Sequence, residues 1–197
     1  MSDFLEIKDV TVRFKVGSLI AARLKGEPAP ILTAVDGISF EADRGESIGI
    51  VGESGCGKST LAKAITGLVP VASGSIHLDD VELTAKRDRA TMRRVQMVFQ
   101  DPSSSLNPSL TIEKMLSELL RVHKIVPRDK IHDRCEELMD LVELPRSLLK
   151  ALPRRLSGGQ RQRIGIARAL ALEPEVLIAD EAVAALDVSV QAPVLNL

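Results

Sequence analysis

The chain has 197 residues, of which 45% are apolar, and its 26 basic and 27 acidic residues give a formal net charge of -1. This length and composition predict a folded domain with a substantial core and exclude a disordered chain. The balanced charge and the 2% aromatic content, without Trp or Tyr, argue against nucleic acid as the main partner, because basic patches and stacking platforms are scarce.

Neither the cysteines nor the apolar runs indicate an exported or membrane-spanning chain. Cys56 and Cys135 lack paired metal-ligand spacing and are typical of unpaired cytosolic thiols. The first nine residues carry acidic side chains and no apolar core, so they do not resemble a signal peptide. No apolar run is long enough to cross a membrane. If the protein acts at a membrane, we expect another chain to provide the crossing.

The first half of the chain is rich in strand patterns. Alternation of apolar and polar residues, with one irregularity, predicts the first strand over residues 4–14. Further strands are predicted over residues 34–41, 46–51, 75–78, 81–83 and 95–99. Gly and Pro between residues 17 and 30 predict a surface loop. For the basic residues from Lys86 to Arg94, a solvated helix face is the simplest interpretation.

A glycine-rich stretch joins the third predicted strand to a helical pattern over residues 60–68. It reads Gly52-Glu53-Ser54-Gly55-Cys56-Gly57-Lys58-Ser59, and we call it the phosphate loop. The glycines let successive backbone N–H groups face phosphate oxygens at the start of a helix. Lys58 is placed to reach the β- and γ-phosphates, and Ser59 to hold Mg²⁺. A chance Gly-rich turn is the alternative, and the flanking strand and helix patterns argue against it.

The second half begins with a loop over residues 102–108 and continues with helical periodicity over residues 111–152. Apolar stripes in this region predict core contacts, and Pro127 and Pro145 separate the helices. We interpret it as a helical subdomain inserted between strands of an α/β core, because a strand pattern returns at residues 176–179.

Two polar segments flank the last predicted helix. Leu156-Ser157-Gly158-Gly159-Gln160, the signature segment, opens that helix, and an N-cap with a turn is the alternative interpretation. Asp180 and Glu181 follow the apolar strand at residues 176–179. A strand-end Asp beside a phosphate loop can hold Mg²⁺ through water, and the next Glu can polarise an attacking water.

In this order the segments resemble the motifs of the ABC ATPases, and the resemblance covers nearly all of the chain. It adds Gln100 as the Q-loop and residues 184–187 as the D-loop, and it implies a P-loop α/β core with an antiparallel β subdomain and an inserted helical subdomain. The implied cofactors are ATP and Mg²⁺. Glu181 and Gln100 would be catalytic, and Ser59, Gln100 and Asp180 would hold the metal. The implied nucleotide contacts are Phe14, Gly52, Glu53, Ser54, Gly55, Cys56, Gly57, Lys58, Ser59, Thr60, Ser157, Gly158, Gly159 and Gln160.

Two stretches of sequence are similar to those of the ATP-binding subunits of oligopeptide and dipeptide importers. They are residues 99–108, around Gln100, and the segment from Ser157 to Ile164. Nickel and glutathione importers remain alternatives. The resemblance implies a subunit on the cytoplasmic face of the cell (inner) membrane that couples ATP binding and hydrolysis to uptake. Its implied partners are membrane permease subunits, a second ATP-binding subunit and, indirectly, an extracytoplasmic solute-binding protein. No nucleic-acid partner is expected.

Departures from the family pattern follow Glu181. Ala182 and Ala184 replace the usual Pro and Ser, and Pro193 falls in an expected helix. The chain ends at Leu197, before the family's H-loop histidine. We therefore expect one C-terminally truncated nucleotide-binding domain with three parts. Residues 1–101 form the β subdomain and the first part of the ATP-binding core, residues 102–160 form the helical subdomain, and residues 161–197 return to the core. A nucleotide-binding fragment without productive ATPase activity, or a non-transport ABC protein, remains an alternative.

Overall fold

The computed structural model describes residues 4–17, 30–99 and 106–180. The chain divides into two compact units, residues 1–88 and residues 89–197. The helices within these described ranges are all too short or too polar to span a membrane.

The first unit is built on an antiparallel sheet with one helix against it. Its elements are β1 (Leu5–Lys15), β2 (Ile31–Ala42), α1 (Lys58–Ile65), β3 (Ser73–Leu78) and β4 (Val81–Glu82). The strand order is β2-β1-β3-β4, and every neighbouring pair is antiparallel. The antiparallel β subdomain predicted from the sequence is therefore present.

The alternation of side chains between the two faces of β1 is interrupted at Asp9, which has a φ of 47°. The Asp9 N–H donates to Ser39 Oγ at 2.8 Å, while the register with β2 shifts between Ile7 and Val10. Because this extra residue moves the alternation by one position, Ile7, Val10 and Val12 are all buried. The predicted irregularity of the first strand is confirmed as a β-bulge.

The strand predicted over residues 46–51 is wrong as a description of this structure, where the segment has no strand assignment. Its apolar side chains Ile48, Ile50 and Val51 are exposed, Val51 by 94%. A strand needs a hydrogen-bonded neighbour. The ladders described for the first sheet connect the four strands β1, β2, β3 and β4, and residues 46–51 take part in none of them. The apolar pattern therefore identifies a segment suited to a buried strand, but no ladder forms on it.

The second unit combines helices with a short parallel sheet. Its elements are α2 (Arg89–Arg94), β5 (Val95–Val98), α3 (Ile112–His123), α4 (Ile131–Leu141), α5 (Gly158–Leu170) and β6 (Val176–Ala179). β5 and β6 pair in parallel, from Val95 opposite Val176 to Val98 opposite Ala179. Short 3₁₀ turns lie at Arg128–Lys130, Arg146–Lys150 and Pro153–Arg155.

One apolar cluster holds the second unit together. Its fully buried members include Leu116, Leu138 and Ile164, one from each of the helices α3, α4 and α5. The stripes predicted from helical periodicity are thus core contacts. The cluster also takes in Val98 of β5, and Leu177 of β6 packs against it, so the helices and the parallel strands share one core.

The basic run of residues 86–94 is only partly a solvated face. Arg94 forms a two-pronged ion pair with Glu175, at 2.5 Å and 3.0 Å, and Arg93 Nε donates to the Leu172 carbonyl at 2.8 Å. These bonds join the start of β5 to the turn that precedes β6. The interpretation of this run as solvent-facing is therefore wrong for these two arginines.

Candidate nucleotide-binding site

The phosphate loop leads into α1, and the helix begins earlier than residue 60. Gly57 is the N-cap of α1 with a φ of 104°, and Lys58 is the first helical residue. Having no side chain, Gly57 provides no side-chain cap to the first turn. The N–H groups of a first helical turn lack intrahelical partners, so this end of α1 suits an anion.

The ammonium of Lys58 lies over the beginning of its own loop. Nζ donates to the carbonyl oxygens of Gly52 at 2.7 Å and Glu53 at 2.8 Å, and it lies 3.7 Å from Cys56 Sγ. The Cys56 N–H donates to the Glu53 carbonyl at 3.3 Å, which closes a turn inside the loop. The loop is therefore wrapped around the one full positive charge that it carries.

A close contact with β2 supports the other side of the loop. A β-carbon added at Gly57 would lie 2.3 Å from the carbonyl oxygen of Ala34. Ala34 is the extra residue of a bulge, because the register passes from Val12 opposite Val35 to Arg13 opposite Thr33. The sequence gives no signal for this contact, since the role of Ala34 is played by its backbone. It sets the start of α1 directly against the sheet.

Phe14 stands near the end of β1, opposite Leu32 on β2. Its side chain is 36% exposed, so it is available at the surface rather than part of the buried core. Leu32 and Ile31 are also exposed there, and the residues that follow Gly17 up to position 29 lie outside the described ranges. Phe14 belongs to the same unit as the phosphate loop and Thr60.

The signature segment forms a capping box at the start of α5. Ser157 Oγ accepts a hydrogen bond from the Gln160 N–H at 3.2 Å, and Gln160 Oε1 accepts one from the Ser157 N–H at 2.9 Å. The N-cap interpretation of this segment is therefore correct as local structure. It does not account for the two glycines, because a β-carbon on Gly158 or Gly159 would meet no described atom within 4 Å.

Asp180 directly follows β6, and its N–H donates to the Val98 carbonyl at 3.1 Å. The carboxyl ends of parallel strands lie at the same edge of a sheet, so Asp180 stands at the edge where the chain leaves β5. Gln100 and Glu181 lie outside the described residues. Within the described ranges, no group of three His, Cys, Asp or Glu side chains could hold a metal ion.

Comparison with known proteins gives the family. A sequence profile described as ABC transporter matches residues 35–184, which contain the phosphate loop, the signature segment and Asp180. The chain belongs to the ABC transporter family. The α/β cassette fold with an antiparallel β subdomain and a helical subdomain, predicted from the motifs, is thereby confirmed.

Similar members of the ABC transporter family are named for peptide transport. The chain is 45% identical over 197 residues to the oligopeptide transport ATP-binding protein OppF of Escherichia coli (strain K12), covering 98% of this chain and 58% of that protein. Identity is also 45% to the oligopeptide transport ATP-binding protein AppF of Bacillus subtilis (strain 168), covering 98% of this chain and 59% of that protein. The chain thus spans less than two thirds of either relative.

Solved ABC cassettes have the same fold. The ATP-binding cassette MJ0796, in a dimeric post-hydrolysis state bound to ADP and Pi, superposes with a TM-score of 0.79 at 28% identity. The match covers 96% of this chain and 79% of that one. A cassette of the transporter complex cbiONQ, cbiO1 from Clostridium perfringens, gives a TM-score of 0.76 at 28% identity, with coverages of 100% and 73%. Nucleotide binding is thus a property of the family.

Proposed function

We propose that the chain is the ATP-binding part of an ABC importer for peptides. The observation that carries the proposal is the phosphate loop, with Lys58 wrapped by its own loop and α1 opening on a glycine N-cap. The names of the relatives supply the solute class, because two proteins 45% identical to this chain are named for oligopeptide transport. Peptide import, rather than uptake of nickel or glutathione, therefore has the stronger support.

The loop's own chemistry fits a triphosphate. Lys58 already lies among carbonyl oxygens, so its ammonium can exchange these weakly charged acceptors for phosphate oxygens without moving far along the loop. The first turn of α1 adds backbone N–H groups and the positive end of the helix dipole. Phe14, which is exposed near the end of β1, supplies an apolar ring for the base.

The hydroxyl of Ser59 and the carboxylate of Asp180 are hard oxygen donors of the kind that Mg²⁺ prefers, and Gln100 adds an amide oxygen to the set. When bound, Mg²⁺ supplies charge neutralisation of the phosphates. Glu181 is the proposed general base, which accepts a proton from the attacking water, while Gln100 orients that water. These roles follow from position in the motifs.

The signature segment is proposed to act on a nucleotide held by a second ATP-binding subunit. Open space around Gly158 and Gly159 supports this role, because nothing in the described chain requires the lack of a side chain there. The capping box uses the side chain of Gln160 to fix the turn that presents these glycines. Membrane permease subunits and an extracytoplasmic binding protein complete the proposed importer, with this subunit on the cytoplasmic face.

The experiment measures ATP binding to the full chain by calorimetry, with Lys58→Met as the test and Lys63→Met as the matched control. Both substitutions remove one positive charge from α1, but only Lys58 reaches the loop. We expect Lys58→Met to weaken ATP binding by at least about tenfold, a loss of about 1.4 kcal/mol, because a charge-assisted contact disappears. Lys63→Met should bind like the unaltered chain.

A second measurement, the release of phosphate from ATP, separates binding from hydrolysis. Replacing Glu181 with Gln removes the proposed base but keeps the shape of the side chain, so we expect ATP binding to persist while phosphate release stops. Equal ATP affinity in Lys58→Met and the unaltered chain would refute the proposed phosphate site. Phosphate release that survives Glu181→Gln would remove the assigned role of that carboxylate.

A further inference from the structure

Arg87 is a half-buried cation that the nucleotide site described above does not use. It lies just after β4, and all the hydrogen bonds described for its guanidinium go to backbone carbonyl oxygens. Nη1 donates to Ile65 at 2.6 Å, and Nη2 donates to Ala64 at 3.4 Å and to Leu83 at 3.3 Å. Nε donates to the Thr84 carbonyl at 3.0 Å. One side chain therefore bonds two segments that are far apart in sequence.

The first segment is the last turn of α1, where helical carbonyls lack intrahelical donors and carry the negative end of the dipole. Thr66 Oγ1 already donates to the Ala62 and Lys63 carbonyls, at 3.2 Å and 3.1 Å. Arg87 provides the donor for Ile65. The negative end of the helix thus offsets the guanidinium charge, which explains how an arginine is half-buried here on carbonyl partners.

The second segment is tied to the antiparallel sheet. The Leu83 N–H donates to the Ile76 carbonyl of β3 at 2.7 Å, so the carbonyls of Leu83 and Thr84 are fixed relative to that strand. Through Arg87, the C-terminal end of α1 is therefore linked to β3. The contact between Gly57 and the Ala34 carbonyl links the other end of α1 to β2.

The turn after α1 is shaped to admit the guanidinium. Gly67 has a φ of 80°, and a β-carbon on it would lie 2.9 Å from Arg87 Nε. A side chain at this position would have to displace the guanidinium, because its β-carbon would also lie 3.0 Å from Arg87 Cζ. Burial lowers the pKa of Arg87 from its ordinary value, but arginine stays cationic at neutral pH. The pocket for Arg87 is thus formed by two backbone segments, residues 64–67 and residues 83–84.

We propose that Arg87 is a positioning residue for the phosphate loop: by holding the last turn of α1 to the segment after β4, it fixes the direction in which the first turn presents its N–H groups. α1 has eight residues and is about 12 Å long, so a shift of about 1 Å at one end turns the helix axis by about 5°. Binding sites tolerate errors of only about 0.5 Å. This inference rests on the proposed function, because the group being positioned is the ATP site.

The test compares Arg87→Met with Lys86→Met in the full chain. Both substitutions remove one positive charge at adjacent positions, but the Lys86 side chain is exposed, whereas that of Arg87 is half-buried on four carbonyls. Hydrogen exchange of peptides covering residues 52–67 reports the order of loop and helix without any nucleotide. ATP affinity is measured at a temperature where circular dichroism shows each variant to be folded. A variant that is merely less stable should then bind ATP with unchanged affinity.

We expect Arg87→Met to raise hydrogen exchange in both the last turn of α1 and the loop, and to weaken ATP affinity about three- to tenfold. Lys86→Met should change neither quantity. Arg87→Lys keeps the charge but lacks the planar set of donors, so we expect a smaller loss, about twofold. If Arg87→Met does not fold, the comparison of Arg87→Lys with Lys86→Met decides the question.

Folded Arg87 variants with unchanged ATP affinity would overturn the inference, and would reduce Arg87 to a stabilising residue. Failure of the proposed function is a different result, in which the unaltered chain shows no ATP binding that depends on Lys58. The exchange measurement decides in that case too. If residues 52–57 exchange equally in Arg87→Met and the unaltered chain, Arg87 does not order the loop.

Discussion

Glycines at the two motifs serve different physical needs. Gly57 is required by the chain itself, because its φ is 104° and the Ala34 carbonyl occupies the place of a β-carbon. Gly158 and Gly159 face open space in the described chain. A sequence motif shows all of these positions simply as glycine. The structure therefore separates a glycine that the fold needs from two glycines for which the described chain shows no structural need.

Stability measurements can test this difference directly. We expect Gly57→Ala to lower the free energy of unfolding by about 2 kcal/mol or more, because it combines a strained φ with a contact at 2.3 Å. Gly158→Ala, the matched control in the first turn of α5, should change it by less than about 0.5 kcal/mol or stabilise slightly. Urea unfolding followed by circular dichroism measures both. Similar losses in the two variants would contradict the assignment.

At the scale of the elements, ion pairs hold turns of the second unit against its helices. Arg146, at the start of a 3₁₀ turn, donates from Nε to Asp140 Oδ1 at 3.0 Å and from Nη2 to Asp140 Oδ2 at 2.5 Å. Its Nη1 also donates to Glu136 Oε2 at 2.6 Å. Both carboxylates belong to α4, so one guanidinium holds the chain that follows the helix against its last two turns. Local sequence patterns do not show this arrangement.

The Asp140 pair predicts a dependence of stability on pH. The hydrogen bonds from Arg146, and then its charge, hold the pKa of Asp140 below the ordinary value. The carboxylate form is thus favoured in the folded state, and its stabilising effect is complete above the unfolded pKa of about 3.9. The effect is lost as the pH falls through the lowered folded pKa, where the proton returns.

Comparing the unaltered chain with Asp140→Asn by urea unfolding between pH 7 and pH 3 tests this expectation. The difference in unfolding free energy should be largest near neutral pH and should shrink at the acid end. Asp129→Asn, at an exposed position in the same helical region, serves as the matched control for the loss of one carboxylate. A difference for Asp140→Asn that stays constant over this range would contradict the prediction.

On the scale of the whole chain, each of the two units buries apolar side chains of its own. The first packs α1 against an antiparallel sheet, and the second packs three helices and two parallel strands around one apolar cluster. Each unit also contains one cysteine. Cys56 is exposed in the phosphate loop, and Cys135 is fully buried in the helical cluster. Cys56 is therefore accessible in the folded chain, whereas labelling of Cys135 reports on opening of the second unit.

Alkylation of the folded chain at pH 8, followed by mass spectrometry, should label Cys56 quickly and Cys135 only when the second unit opens. Burial raises the pKa of the Cys135 thiol, which further suppresses the reactive thiolate. Leu138→Ala removes a fully buried side chain next to Cys135 in the cluster and should destabilise it by about 2–5 kcal/mol.

We therefore expect Leu138→Ala to speed labelling of Cys135 while leaving Cys56 unchanged. Leu68→Ala is the control, because Leu68 is an exposed side chain of the first unit. An unchanged rate of Cys135 labelling in Leu138→Ala would contradict this expectation.

The sequence alone predicted the family, through its motifs, and most of the elements. The phosphate loop, the signature segment and the strand before Asp180 are local patterns, and local propensities place strands and helices to within a few residues because each depends on near neighbours. The sequence failed at residues 46–51, since a strand exists only when another strand pairs with it. It also missed Ala34, which acts through its carbonyl, and Arg87, which was assigned to a solvated run. Only the tertiary structure decides which distant backbone groups meet a side chain, because those contacts depend on how separate elements pack.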